Sequence, residues 1–193
     1  QRTVLSKTGW KLNVRKKLPY ESRIHDMVLH YQINQAERRS KFLRSVGERV
    51  FRTSAVNTQF VLSSFYGGVE QVGRSSALIS TDESQVLMDV GINPGVTDPR
   101  LMFPRYDFNS LKVNDLDAII VTHAHLDHAG GLPLFMKYGY KGPIYMTEPT
   151  ISLVTLLLED LYNIYNKTGN VPFFDLKDVR NVIQHTIPLR YGQ

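Results

Sequence analysis

The apolar positions of this chain follow two rhythms. From Ser22 to about Tyr31, Ile24, Met27, Val28 and Tyr31 recur at helical spacing, and Ser22 is placed to cap the first turn. A second helix is expected over roughly 34–46, with Phe42, Leu43 and Val46 inward and Gly47 as its stop. Arg38, Arg39, Lys41 and Arg44 of that helix are expected to face mostly outward. Upstream, residues 3–16 read as an extended segment with a turn at Thr8-Gly9, and Leu18-Pro19-Tyr20 reads as a linker. Past residue 52 the period shortens. Residues 59–66, 75–80 and 85–90 read as strands, the first two separated by a turn that Gly67-Gly68 and Gly73 bracket. Residues 118–122 form a continuous apolar run, the pattern of a strand buried on both faces. Leu132, Leu134, Phe135 and Met136 follow at the spacing of a short helix, and 143–146 reads as another strand. Pro149 suits a helix start, and 151–165 is helical in period. Asp175 can cap a last helix with Leu176, Val179, Val182 and Ile183 inward, and 185–189 begins a further strand. Strands followed by strand–helix alternation predict an α/β layered body with no internal repeat.

Composition narrows the class. With 193 residues, 42% hydrophobic and 21% charged, the chain has the make-up of a globular domain with a sizeable core. It has no cysteine, which excludes a disulfide framework, a thiolate metal site and a cysteine nucleophile. No apolar run approaches the ~20 residues of a membrane-spanning helix. The opening Gln1-Arg2-Thr3 is followed by no apolar run of the secretory kind, and a start without methionine is expected of a piece of a longer protein.

Charge divides the chain. Residues 1–52 carry 13 Lys and Arg against 4 Asp and Glu, a balance of +9. The remainder carries 10 against 14, a balance of −4. A basic front on an acidic body reads either as a nucleic-acid-binding arm or as a well-solvated helical face. Trp10, Tyr20 and Tyr31 are aromatic residues that either stack on bases or join the core.

The chemistry concentrates in Thr122-His123-Ala124-His125-Leu126-Asp127-His128, directly after the apolar run. Three imidazoles and a carboxylate so close together are ligands suited to zinc. A turn leaving a strand end can aim alternate side chains into one cavity. On that geometry His123 and His125 grip one ion, while Asp127 and His128 reach a second. Asp89 ends Val86-Leu87-Met88 and reads in one of two ways. It orients a ligating histidine through a hydrogen bond, or it opens a turn through Gly91 and Asn93. Asp127 and Asp89 are the candidate catalytic carboxylates. His25 and His30 read as surface residues, His185 as structural, and Glu148 as a first-turn helix residue. The turn through Gly67-Gly68 and Gly73-Arg74 lacks the Lys-Ser/Thr of a P-loop. It reads as a hairpin turn bordering the site, with backbone amides near a phosphate as the other reading.

The His123/His125/Asp127/His128 loop, with Asp89 on an earlier strand, resembles the metallo-β-lactamase superfamily. Gly68-Val69-Glu70-Gln71-Val72-Gly73-Arg74-Ser75, Val86-Leu87-Met88-Asp89-Val90-Gly91 and the stretch 118–130 resemble its β-CASP branch of nucleic-acid nucleases. Tyr138-Gly139-Tyr140-Lys141-Gly142-Pro143-Ile144-Tyr145 and Thr147-Glu148-Pro149-Thr150 are similar to archaeal proteins related to the cleavage and polyadenylation specificity factor nuclease. The resemblance implies an α/β chain holding a partial metallo-β-lactamase fold, four-layer αββα in the complete protein. It divides the chain into the tail of a KH RNA-binding domain at 1–19, a basic helical linker at 20–52 and the front of the nuclease domain at 53–193. It implies two zinc ions per complete site and hydrolysis of single-stranded RNA in 3′-end processing or transcription termination, in the cytoplasm. The later metal ligands and the β-CASP domain would lie beyond this chain, which alone would be inactive. Lys11, Arg15, Lys16 and Lys17 would track the RNA backbone, and regions outside the chain could pair two copies. The rival expectations are a different hydrolase on the same fold and a non-catalytic RNA-binding or assembly module.

Overall fold

The computed structural model describes residues 22–53, 59–96, 98–106 and 111–191. Lys11, Arg15, Lys16, Lys17, Trp10 and Tyr20, and the KH tail expected at 1–19, lie outside them. Helix α1 spans Arg23–Asn34 and α2 spans Ala36–Val50. The Ser22 hydroxyl accepts from the His25 amide, as an N-cap should. Gly47 does not stop α2, which runs on to Val50. The glycine faces open space and so costs the helix only its propensity.

A six-stranded sheet follows, in the order β1 (Leu62–Gly67), β2 (Ser76–Ser80), β3 (Gln85–Met88), β4 (Ala118–Ile120), β5 (Ile144–Thr147) and β6 (Thr186–Leu189). The first three strands form an antiparallel meander, and β3 through β6 run parallel. The short helix α3 (Pro99–Met102) lies between β3 and β4. Where one short helix was expected after β4 there are two, α4 (Leu126–Ala129) and α5 (Leu132–Lys137). Helices α6 (Glu148–Lys167) and α7 (Leu176–His185) separate β5 from β6. Asp175 and Asp178 form a reciprocal capping box on α7.

The register explains the core. Leu78, Leu87, Ile119 and Ile144 lie in one cross-strand row, each at most 1% exposed, and pack beneath the helices. Val154 and Leu158 of α6 and Val179, Val182 and Ile183 of α7 close this layer, joined by Val28 of α1. The next row, Phe65, Ala77, Met88, Ile120, Tyr145 and Ile187, occupies the other face. That row is only half-buried, and Phe65 is exposed. The strand expected over 118–122 is therefore sealed on one face only, through Ile119, and ends at Ile120. Of the four layers the resemblance implies, the described residues supply one sheet and one helical layer.

Helix α2 crosses the edge where the parallel strands begin. The Arg39 guanidinium donates to the Gln184 carbonyl at 2.9 Å and the Thr186 carbonyl at 2.7 Å, at the end of α7. Arg39, expected outward, is thus half-buried, and burial lowers its pKa. Phe42 packs on the His185 ring, Arg49 pairs with Asp117, and Arg52 donates to the Glu83 carbonyl. Leu43, expected inward, is instead exposed. No helix among the described residues is long and apolar enough to cross a membrane.

Candidate metal centre

The site stands at the opposite edge, where β3 and β4 end. Asp89 leaves β3 with φ 60°, in the left-handed region. Aspartate tolerates that conformation better than most residues, and here it swings the side chain out of the strand direction. Its buried carboxylate meets the first residues after β4. The Thr122 amide donates to Asp89 Oδ1 at 2.8 Å, and the Thr122 hydroxyl lies 2.8 Å from Oδ2. His128 Nδ1 lies 2.8 Å from the same Oδ2. A carboxylate only accepts, so Nδ1 carries a proton, which in the neutral imidazole leaves the Nε2 lone pair for a ligand. His123 Nδ1 lies 3.1 Å from the Thr122 hydroxyl. With that hydroxyl donating to Asp89, His123 Nδ1 is assigned the donor role as well. Asp89 therefore orients His128 directly and His123 through Thr122.

His125 is the N-cap residue of α4, and Asp127 and His128 lie within that single turn. The turn is held by its own carbonyls. Those of Leu126, Asp127 and His128 accept from the amides of Ile92, Ser75 and Val90, at 2.9, 2.8 and 2.8 Å. The approach is so close that a Cβ on Gly91 would lie 1.7 Å from the Asp127 carbonyl oxygen. Only glycine fits there.

His123, Asp127 and His128 offer ligand atoms that all lie within 4.8 Å of one another. The His123 ring centre is 4.0 Å from that of His128 and 4.8 Å from that of His125. The four loop residues thus stand together, with His125 beside the tighter trio. His128 Nε2 faces Asp127 Oδ2 at 3.6 Å. A lone pair and a carboxylate facing each other repel unless a cation or proton lies between them. Nitrogen and oxygen donors with the imidazoles turned by a carboxylate fit a divalent ion such as zinc.

Thr122 and Ser76 were not singled out by the sequence reading. The Ser76 hydroxyl donates to the Asp89 carbonyl at 3.0 Å and accepts from the Tyr106 hydroxyl at 3.3 Å. Burial pushes the Tyr106 phenol up, so it stays a proton donor. A hydroxyl directly after an apolar strand was the available signal for Thr122. Ser76 and Tyr106 left none, because their partners are remote in sequence. His185 is structural as expected, with Nδ1 donating to the Gly142 carbonyl at 3.1 Å. A cavity of about 710 Å³ lies at the far edge, lined by Arg49, Asp117, Lys141 and Tyr145 among others. It holds no ligand cluster, so its volume does not mark the chemistry.

A family profile described as the metallo-beta-lactamase superfamily matches residues 69–182, which include Asp89 and the whole histidine loop. The chain belongs to the metallo-β-lactamase superfamily, and membership implies divalent-metal binding. Its similarity runs further, to proteins named transcription termination factor FttA. It is 39% identical to that of Cenarchaeum symbiosum over 189 residues, 98% of this chain and 29% of the relative. To that of Thermococcus kodakarensis it is 39% identical over 198 residues, 100% of this chain and 31% of the relative. To that of Methanococcus maripaludis it is 45% identical over 152 residues, 78% of this chain and 24% of the relative. The chain spans less than a third of the length of these curated relatives. Among solved structures, the Rm3 metallo-beta-lactamase is 24% identical with a TM-score of 0.36, covering 46% of this chain and 30% of that one.

Proposed function

We propose that this chain is the front of the nuclease module of a zinc-dependent ribonuclease, which hydrolyses phosphodiester bonds within single-stranded RNA during 3′-end processing or transcription termination. The observation that carries it is the convergence of His123, Asp127 and His128 at the end of β4, with their imidazoles turned by Asp89 and Thr122. The name that the relatives carry, transcription termination factor, supports the cellular role. His123, His125, Asp127 and His128 would hold the metal, two ions in the complete centre with further ligands from outside this chain. Zinc so held lowers the pKa of water toward neutrality and offsets charge on phosphoryl oxygens.

The protein's own groups do the rest. Asp127, whose partly exposed carboxylate faces His128 Nε2 at 3.6 Å, would take a proton from attacking water. Asp89 touches no reacting atom, since Thr122 and His128 engage its carboxylate, and it acts as a positioning residue. Lys11, Arg15, Lys16 and Lys17 would contact RNA phosphates, and the KH likeness points to single strands. Pairing of two copies through regions outside the chain and a cytoplasmic site of action belong to the same reading.

The test uses the full-length protein and a single-stranded RNA. Cleavage should stop with a chelator and return with zinc. His125→Ala should abolish cleavage and leave most RNA affinity. Undiminished cleavage by that variant would sink the metal reading. Salt-sensitive RNA binding without any cleavage would instead favour an assembly module. Hydrolysis of a thioester or lactam in place of RNA would favour another hydrolase.

A further inference from the structure

We infer, resting on the metal-centre reading above, that Arg74 is a positioning residue of that centre: its buried guanidinium anchors a three-residue strut that sets where Asp127 and Asp89 stand. Arg74 is only 7% exposed. Its Nη1 donates to the carbonyls of Arg100 at 2.9 Å and Phe103 at 3.2 Å, and its Nη2 donates to Gln71 Oε1 at 3.1 Å. All three acceptors are neutral. A buried guanidinium facing neutral acceptors is a costly choice where a packed apolar side chain would fill the space. Its backbone is also left-handed, at φ 46°, which a non-glycine residue adopts only where its surroundings hold it.

What the anchor holds is the backbone that follows. The Arg74 amide donates to the Ile92 carbonyl at 3.1 Å. The Ser75 amide donates to the Asp127 carbonyl at 2.8 Å, and the Ser75 carbonyl accepts from the Gly91 amide at 2.9 Å. The Ser76 hydroxyl donates to the Asp89 carbonyl. Three consecutive residues thus reach the segment after Asp89, the ligand Asp127, and Asp89 itself. The left-handed turn sends the Arg74 side chain toward α3 while Ser75 and Ser76 continue into β2 along the site. The guanidinium ties this strut to α3 and to the loop at Gln71. Lysine keeps the charge but lacks the planar fork of donors.

The experiment titrates metal into the zinc-free full-length protein, wild type against Arg74→Lys, Arg74→Met and Ser76→Ala. Zinc affinity is read by chelator competition, site geometry by the cobalt(II) absorption bands, and folding by circular dichroism and melting. Arg74→Met is expected to weaken zinc about 10–100-fold and alter the cobalt bands. Arg74→Lys should recover part of both, and Ser76→Ala should move both in the same direction by less. A lowered melting temperature in Arg74→Met with unchanged zinc affinity and cobalt bands would mean a purely structural arginine and overturn the inference. Where Arg74→Met does not fold, Ser76→Ala decides, and no change in either metal readout overturns it. A wild type that binds neither metal would bring down the metal centre itself, and this inference with it.

Discussion

The two edges of one sheet use polar residues in opposite ways. Where β3 and β4 end, polar groups converge on a shared open point and leave ligand atoms free. Where the parallel strands begin, polar groups of α2 and of the residues just after it are spent on the body beneath them. Arg39 closes the orphan carbonyls at the end of α7, Arg49 pairs with Asp117, and Arg52 ties down the turn at Glu83. Both edges are rich in charge, but among the described residues only the first gathers three metal-capable side chains within reach of one another. A positive balance in sequence therefore says little about binding until the partners of each cation are known. Among the described residues, Arg39, Arg49 and Arg52 are fasteners of this kind.

The contrast is sharpest at Gly91. A methyl group there would meet the Asp127 carbonyl at 1.7 Å and the Ser75 amide at 2.6 Å. Gly91→Ala should cost on the order of 3 kcal/mol in denaturant stability and abolish zinc binding. Unchanged zinc affinity would show that the ligand turn tolerates separation from its support. Thr122→Val removes the hydroxyl bridge from His123 to Asp89 but keeps the amide bond. Zinc affinity should fall about 10–100-fold with little change in melting. An equal loss of both would make Thr122 a structural residue rather than an orienting one.

Arg39→Met probes the other edge. Losing two charge-assisted bonds from a half-buried group should destabilise by roughly 1–2 kcal/mol and leave zinc affinity untouched. A change in zinc affinity would break the separation of the two edges. The smallest effect concerns pH. Burial lowers the His185 pKa from the usual 6.5, the Gly142 hydrogen bond partly opposes it, and Arg38 and Arg39 add to the lowering. The unfolded chain then takes up the proton first. Stability is full above pH 6.5, falls as pH drops below it, and levels off once folded His185 is also charged. His185→Phe should flatten that part of the stability profile, measured by melting across pH 5–8. A slope unchanged by the substitution would place the titrating group elsewhere.

The candidate metal loop was legible because its residues are neighbours along the chain. Strand, loop and helix start are local features, and three imidazoles with a carboxylate in such a space have few other uses. The Asp175 cap and the inward faces of α6 and α7 were legible for the same reason. Arg39 and Leu43 were misplaced because an amphipathic count assumes that charge seeks water and leucine seeks the core. Here the carbonyls at the end of α7 needed a donor, and α2 packs so loosely on the body that none of its residues is fully buried. The run at 118–122 looked sealed on both sides, yet the row through Met88, Ile120 and Tyr145 stays half-open.

By itself, the sequence determined which candidate metal-binding side chains stand together, their order and the elements that carry them, since these depend on side-chain chemistry and short-range backbone preference. Only the tertiary structure decided which ring nitrogen is free, which arginines are engaged and which glycine has no room for a side chain. Those outcomes rest on hydrogen bonds between residues tens of positions apart, such as Asp89 with His128 and Arg39 with Thr186. No local pattern encodes such a pairing, because it exists only once the strands between have set the distance.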